Sequence, residues 1–164
     1  MATINGDNFQ KSQDFPKAKT APGELNTGIK YLHERYDTSD AQGAGAGGVL
    51  AVGDKIAGPK LPEGAKILDS HCLIDQTAGA TGIIDAGLEA FKDKDGNTIA
   101  ADPNGLNNQC DAGGQAVFQR ADNNSPLIGK KVGKGGAQVS MTCTEIFATN
   151  NPVIDLHVYY ALED

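Results

Sequence analysis

The chain has 164 residues, a net charge of −7 at neutral pH and a pI of about 4.8. This length fits one domain with a core of its own and leaves no room for a second, catalytic domain. The acidic balance disfavours a nucleic-acid-binding function, because non-specific affinity for nucleic acid comes mainly from lysine and arginine side chains that displace counterions.

The composition predicts an all-β protein. The chain contains 21 glycines and no tryptophan, and aromatic residues make up 5% of it, so the core must come from aliphatic side chains joined by many tight turns. No apolar run approaches the ~18 residues of a membrane-spanning helix, and the first residues lack the basic and apolar regions of a signal peptide. We therefore expect no membrane association and a protein that stays in the cytoplasm in which it is made.

The first 27 residues are polar and are broken by Pro16 and Pro22. Most such termini are flexible. The alternative is an extended N-terminal arm that docks on a neighbouring subunit, because this segment has more apolar side chains than a solvating tail needs. The candidate contact residues of the arm are Phe9, Phe15 and Leu25. Residues 28–164 are predicted to form a single domain.

Residues 29–36 mix β-forming and charged side chains and fit a strand better than a short helix. The glycine-rich run 42–48 matches the pattern GxGxxG, which in dinucleotide-binding proteins leads into a helix. Here Gly53, Gly58 and Pro59 occupy the place of that helix. The run is therefore interpreted as a loop.

The stretch 50–87 predicts a strand, an elbow, a longer strand, a turn and another strand. In the elbow, Pro62 presets a backbone dihedral and Gly64 can adopt the positive φ that a turn into a strand often needs. Residues 66–75 form the longer strand, and the simplest topology pairs it with residues 83–87 as an antiparallel hairpin. Its apolar residues are expected on two faces, with Leu68, Cys72 and Ile74 on one and Ile67 and Leu73 on the other.

The middle of the chain is mostly hydrophilic. Residues 88–91 are predicted to form a brief helical turn, residues 92–112 a long loop and residues 116–120 a strand. The final strands carry the clearest pattern, because apolar and polar residues alternate over 138–147 and over 153–162. Together these segments give about seven to nine strands with turn-rich connections. This pattern predicts an antiparallel β-sandwich or jelly-roll-like domain.

No residue pattern predicts a metal site or a cofactor. Residues 93–97 have the oxygen-rich composition of a calcium loop, but Thr98 and Asn104 stand where an EF-hand needs glycine and glutamate. The three histidines, His33, His71 and His157, are far apart in sequence. Adjacent residues on a strand point to opposite faces, so His71 and Cys72 cannot form a ligand pair. The three cysteines, Cys72, Cys110 and Cys143, are interpreted as reduced and mostly buried.

Catalytic motifs are also absent from the sequence. No GxSxG nucleophile elbow occurs, and the cysteines lack a recognisable catalytic context. The glycine-rich basic segment 129–136 lacks the spacing of a phosphate-binding loop. We interpret it as a solvated hairpin loop whose lysines can meet an acidic partner surface.

The order of short motifs in residues 53–87 resembles the head decoration (cement) and minor structural proteins of tailed bacteriophages. The motifs are GDKI, then LPEGAKILD, then a polar strand, then GATGIIDAG. The resemblance implies a non-enzymatic virion protein that binds the major capsid protein on the outer surface of the head, as a dimer or trimer. It covers mainly residues 53–87, and no binding residue is transferred from it because the matched elbow is scaffold.

Two other functions remain open at this point. One is a receptor- or carbohydrate-binding β-sandwich of a head fibre or tail, against which the lack of tryptophan weighs. The other is a metal-dependent enzyme on a jelly-roll barrel, which would require the three histidines to converge.

Overall fold

The computed structural model of the chain describes residues 3–5, 29–37, 50–75, 82–111, 117–121, 125–145 and 153–162. These residues contain strands and turns and no helix, so no segment among them is a helix that could cross a membrane. The strands are β1 (Thr3–Asn5), β2 (Lys30–Asp37), β3 (Lys55–Leu61), β4 (Ala65–Asp75), β5 (Ile83–Leu88), β6 (Phe91–Lys92), β7 (Thr98–Ile99), β8 (Asp102–Asp111), β9 (Val117–Arg120), β10 (Ala137–Glu145) and β11 (Val153–Leu162).

The strands form two sheets and a small hairpin. The order is β1-β3-β10-β5-β8 in the five-stranded sheet and β2-β11-β4-β9 in the four-stranded sheet, while β6 and β7 pair with each other. All pairs are antiparallel except β1 with β3. The predicted all-β antiparallel sandwich is therefore confirmed.

The core lies between the two sheets. Ile56, Ile84 and Met141 of the five-stranded sheet and Cys72 and Leu156 of the four-stranded sheet are almost completely buried. In β11 every second residue is buried from Ile154 to Tyr160, as the alternation predicted. Burial of such aliphatic side chains is the main term that stabilises a sandwich of this size.

The elbow and the cysteines also follow the prediction. Gly64 has a φ of 82°, in the left-handed region that glycine adopts without strain. Its N–H donates to the carbonyl of Val132 (2.9 Å), which fixes the entry into β4. All three cysteines are free and buried.

Four predictions about residues 66–112 were wrong. Strands β4 and β5 do not form a hairpin, because β4 pairs with β11 and β9 in one sheet while β5 pairs with β10 and β8 in the other. The predicted helical turn at 88–91 is the end of β5 and the start of β6. The predicted loop 92–112 contains β7 and most of β8. The sequence did not predict the hydrophilic strand β8, because this strand is formed by backbone hydrogen bonds to β5 and its side chains show no strand pattern.

The fourth error concerns the faces of β4. Ile67 and Cys72 both point inward, whereas Leu68 is only half-buried. The register between β11 and β4 shifts at this point, where Tyr159 pairs with Asp69 and Tyr160 with Ile67. The extra residue of this bulge, Leu68, switches which residues of β4 point inward, from odd numbers before it to even numbers after it. A prediction that assumes strict alternation along the strand misses this switch.

Candidate functional site

The predicted contact residues of the arm, Phe9, Phe15 and Leu25, lie outside the described residues, as does the glycine-rich run 42–48. Within the first 27 residues the structure describes Thr3–Asn5, which form β1 at the edge of the five-stranded sheet. The extent of an arm therefore stays a prediction. The described residues offer two candidate surfaces, and they lie on different elements.

The first surface is the outer face of the four-stranded sheet, where three histidines from separate parts of the sequence lie side by side. His33 on β2 pairs with His157 on β11, and His157 pairs in turn with His71 on β4. We call these residues the histidine row. They point outward because their neighbours Leu156 and Val158 point into the core.

Stacking and hydrogen bonds hold the histidine row. The rings of His33 and His157 stack with centroids 4.4 Å apart and planes 8° from parallel. His33 Nε2 donates to Asp155 Oδ1 (2.6 Å), and His71 Nε2 donates to Asp69 Oδ2 (3.3 Å). Each outer imidazole therefore has a carboxylate partner, which fixes its orientation and its tautomer.

The central histidine resists protonation. Partial burial, the adjacent His33 and, to a smaller extent, His71 lower the pKa of His157, against the opposing effect of Asp155. His157 is therefore neutral at physiological pH.

Tyrosines and paired charges surround the histidine row. Tyr31 is 63% exposed, and its ring centroid lies 6.3 Å from that of Tyr159. Arg120 Nε donates to Asp69 Oδ2 (2.6 Å), and Arg35 lies 4.0 Å from Asp155. Exposed rings beside ordered polar groups are typical of surfaces that bind another molecule.

The histidine row is not a preformed metal site. Across the part of the chain that the structure describes, no group of three or more histidine, cysteine or acidic side chains is arranged to hold a metal ion. Two of the imidazoles stack face to face, and two have a ring nitrogen committed to a carboxylate. The three histidines do lie together, as a metal-dependent enzyme would require, but their rings are not arranged as metal ligands.

The second surface surrounds the β6–β7 hairpin. The Asp93 carboxylate accepts hydrogen bonds from the N–H groups of Asp95 (2.9 Å) and Asn97 (2.9 Å) and from the Asn97 side chain (3.2 Å). These bonds, that of the Asn97 side chain first, lower the pKa of Asp93. Residues 93–97 form a turn, and the turn's own N–H groups occupy the oxygens of the Asp93 carboxylate.

The segment 129–136 packs between this hairpin and β4. Gly133 N–H donates to the carbonyl of Lys92 (2.7 Å), and Val132 forms an isolated bridge with Asp93. On the other side, Ile67 N–H donates to the carbonyl of Lys130 (3.0 Å). The prediction of a solvated hairpin loop was wrong, because the strands on either side of this segment, β9 and β10, belong to different sheets.

Seven lysines lie on this docked segment and around it, and we call them the lysine cluster. Lys94 and Lys131 lie where two clefts of about 380 and 450 Å³ meet. The floor of the smaller cleft includes Phe91 and Ile99. Three carboxylates occur in the same lining, those of Glu63, Asp93 and Asp95. The cluster consists of Lys60, Lys66, Lys92, Lys94, Lys130, Lys131 and Lys134.

The buried thiols do not provide a reactive centre. A contact with Cys110, followed by burial, raises the pKa of the Cys72 thiol well above its ordinary value. Cys110 Sγ lies 3.7 Å from the carbonyl oxygen of Cys72 and donates to it. A thiol with a raised pKa and no exposure is a poor nucleophile.

Comparison with known proteins supports a shared fold. The sequence matches no protein-family model and no curated protein. Among solved structures, a chain of the capsid of Ralstonia phage GP4 superposes with a TM-score of 0.63 and 19% identity, over 99% of both chains. A chain of the cyanophage Pam1 capsid asymmetric unit gives a TM-score of 0.56 and 16% identity, over 91% of this chain and all of that one. This chain therefore has the fold of two phage capsid components.

Sequence reasoning missed the histidine row and found only part of the lysine cluster. The histidine row depends on the register of three strands whose histidines are far apart in the chain. Three of the seven lysines were visible as the basic segment 129–136, whose lysines were expected to meet an acidic partner surface. The other four lie on β3, on β4 and in the hairpin, and only the fold brings them to this segment.

Proposed function

We propose that this chain is a structural protein of a tailed-phage virion, which binds the outer surface of the head as a decoration (cement) protein and stabilises the coat lattice. The observation that carries the proposal is the agreement of the whole chain, end to end, with a chain of the Ralstonia phage GP4 capsid. The second likeness, to a chain of a cyanophage capsid, points to the same class of assembly. The short motifs of residues 53–87 resemble decoration proteins and support the finer assignment.

A mechanical role agrees with the chemistry of the described residues. The cysteines are buried, the imidazoles are stacked or paired with carboxylates, and Asp93 is used by its own turn. We therefore propose a non-enzymatic protein. A ligand that binds the assembled shell and not its free subunits stabilises the shell by mass action, and many symmetry-related copies multiply a modest contact energy.

The proposed partners are the major capsid protein and further copies of this chain, as a dimer or trimer on the capsid exterior. The proposed arm contributes Phe9, Phe15 and Leu25 to these contacts. Apolar side chains on an extended segment suit this purpose, since a segment that orders on binding can cover a large area of its partner.

Co-sedimentation tests the proposal. Purified protein is mixed with expanded, undecorated capsids of the parent phage, and the pellet is analysed by mass spectrometry. We expect saturable binding at a fixed ratio to coat subunits. Protein that is folded by circular dichroism yet stays in the supernatant at all concentrations would contradict the proposal.

Point variants test the arm in the same assay. Deleting the first 26 residues would also remove β1, which pairs with β3, so substitution is the cleaner change. Phe9→Ala with Phe15→Ala is expected to weaken attachment to the capsid and to leave thermal unfolding unchanged. If the double variant attaches as well as the wild type, Phe9 and Phe15 do not contribute to docking.

The outer face of the four-stranded sheet favours a second candidate, a receptor- or carbohydrate-binding module. Tyr31, Tyr159 and the histidine row place rings and polar groups on one exposed surface, which is how proteins commonly bind sugars and other partners. Binding of host-cell glycans that Tyr31→Ala abolishes, together with no binding to capsids, would favour this candidate over the first.

A further inference from the structure

Positive charge is concentrated at the β6–β7 hairpin of an acidic protein. The lysine cluster holds half of the chain's 14 basic residues and faces three carboxylates, an excess of four positive charges. Since the whole chain has a net charge of −7, the rest of it carries −11. Charges arranged in this way orient an approaching partner and select one whose surface is acidic.

The backbone that carries the lysines is fixed before any partner arrives. Hydrogen bonds join residues 129–136 to β4 on one side and to the hairpin on the other, including Gly129 N–H to the Ile67 carbonyl (2.8 Å) and Val132 N–H to the Ala65 carbonyl (2.8 Å). Such preorganisation lowers the entropic cost of binding, because only side chains remain to be ordered.

The carboxylates within the cluster cancel only part of its charge. Lys94 Nζ donates to Asp95 (2.7 Å), so this pair is neutral, and the Asp93 carboxylate is held by its turn. Lys92, Lys130 and Lys134 are exposed. These three side chains are therefore well placed to meet a partner.

We propose that the lysine cluster is a docking surface for an acidic, aspartate- and glutamate-rich segment of the capsid shell. This inference rests on the proposed function and names the chemistry of its partner surface. Two clefts of about 380 and 450 Å³, the smaller of which is lined by Phe91 and Ile99, accept individual side chains of a protruding segment. The local excess of positive charge selects an acidic partner, and the proposed function favours the capsid shell over a nucleic-acid duplex or a second copy of this chain as its source.

Matched neutralisations test the inference. One variant carries Lys92→Gln, Lys130→Gln and Lys134→Gln, and the control carries Lys30→Gln, Arg35→Gln and Arg120→Gln on the four-stranded sheet. Both change the net charge by the same amount. Thermal unfolding verifies that each variant is folded, and binding to undecorated capsids is measured by co-sedimentation at about 50 and about 300 mM salt.

The lysine variant is expected to bind about tenfold more weakly than the wild type, the combined effect of three partly exposed charge pairs. Its affinity should also depend less on salt, while the control binds like the wild type. If the wild type itself does not bind capsids, the proposed function fails. If the wild type binds and the lysine variant binds equally well, or both variants weaken alike, the docking surface is overturned and the function stands.

The other occupants have their own readouts. Duplex DNA that binds the wild type at physiological salt but not the lysine variant would identify a nucleic-acid surface and overturn the proposal. Sedimentation velocity without capsids tests for a second copy. Self-association of the wild type that the lysine variant lacks would identify a surface for a second copy of this chain and overturn the proposal.

Discussion

Replacing Gly133 with alanine tests whether the hairpin and the segment 129–136 are locked together. A Cβ at this position would overlap the carbonyl oxygen of Asp93 and lie 2.5 Å from its carbonyl carbon. Real Cβ atoms do not approach so closely, so one backbone must move by about 1 Å. A movement of this size breaks the 2.7 Å hydrogen bond from Gly133 N–H to the Lys92 carbonyl.

The cost follows from these two effects. Overpacking typically costs about 1–3 kcal/mol, and the lost hydrogen bond about 0.5–1.5 kcal/mol. We therefore expect Gly133→Ala to lower the free energy of unfolding by about 2–4 kcal/mol, measured by urea denaturation, and to lower the Tm by about 5–15 °C.

Gly96→Ala, a substitution in the turn of the β6–β7 hairpin, is the control. Gly96 has a φ of 84° but nothing within 4 Å of an added Cβ, so alanine meets only the backbone strain of about 1–2 kcal/mol. Amide hydrogen exchange at Gly133 reports the local opening directly. A Gly133→Ala protein that is no less stable than the Gly96→Ala protein, with Gly133 still protected, would refute the locked arrangement.

Two further predictions concern titration. The pKa of His157 is lower in the folded protein than its ordinary value of 6.5. As the pH falls below 6.5, the unfolded state therefore binds more protons than the folded state. The contribution of His157 to the free energy of unfolding is thus fully present above pH 6.5 and is lost as the pH falls. The Tm should therefore fall more steeply between about pH 7.5 and 5.5 for the wild type than for His157→Gln, and identical pH profiles would contradict the assignment. The raised pKa and full burial of Cys72 predict no reaction of this thiol with Ellman's reagent at about pH 8 until denaturant is added. Rapid labelling of Cys72 in the native protein, located by mass spectrometry, would show that the core opens there.

What the sequence predicted well was local. The alternation of β11 needs only a period of two along one strand, and the elbow at Gly64 needs only a glycine in a turn. Both signals are contained within about ten residues of chain. Such patterns predict which side of a strand is buried without knowing its neighbours.

What the sequence did not predict depends on neighbours. Strand β8 has few apolar residues, and it exists because β5 supplies its hydrogen-bond partners and because Asp85 Oδ1 accepts from Gln109 N–H (2.7 Å), where Gln109 has a φ of 53°. The separation of β4 and β5 into different sheets is likewise a property of the whole sandwich. Tertiary contacts override local propensity in such strands.

The two surfaces differ in how they can bind, and this difference bears on assembly. The outer face of the four-stranded sheet balances Arg35 and Arg120 against Asp69 and Asp155, so it exerts little long-range field. The lysine cluster carries an excess of charge and acts over about a Debye length. An encounter with an acidic shell is therefore expected to begin at the lysine cluster.

Capture through charge would suit the proposed decoration role, in which the protein attaches only after its shell has formed. Free assemblies of this chain, with a charge of −7 per copy, repel one another at long range. On the proposed acidic lattice, copies would be oriented with their lysines inward, and the many sites would make weak individual contacts sufficient. A single lysine contact is worth little at an exposed surface. Salt sensitivity of attachment should therefore be greatest for the first encounter and smaller once the apolar contacts of a seated copy have formed, since those contacts are not screened.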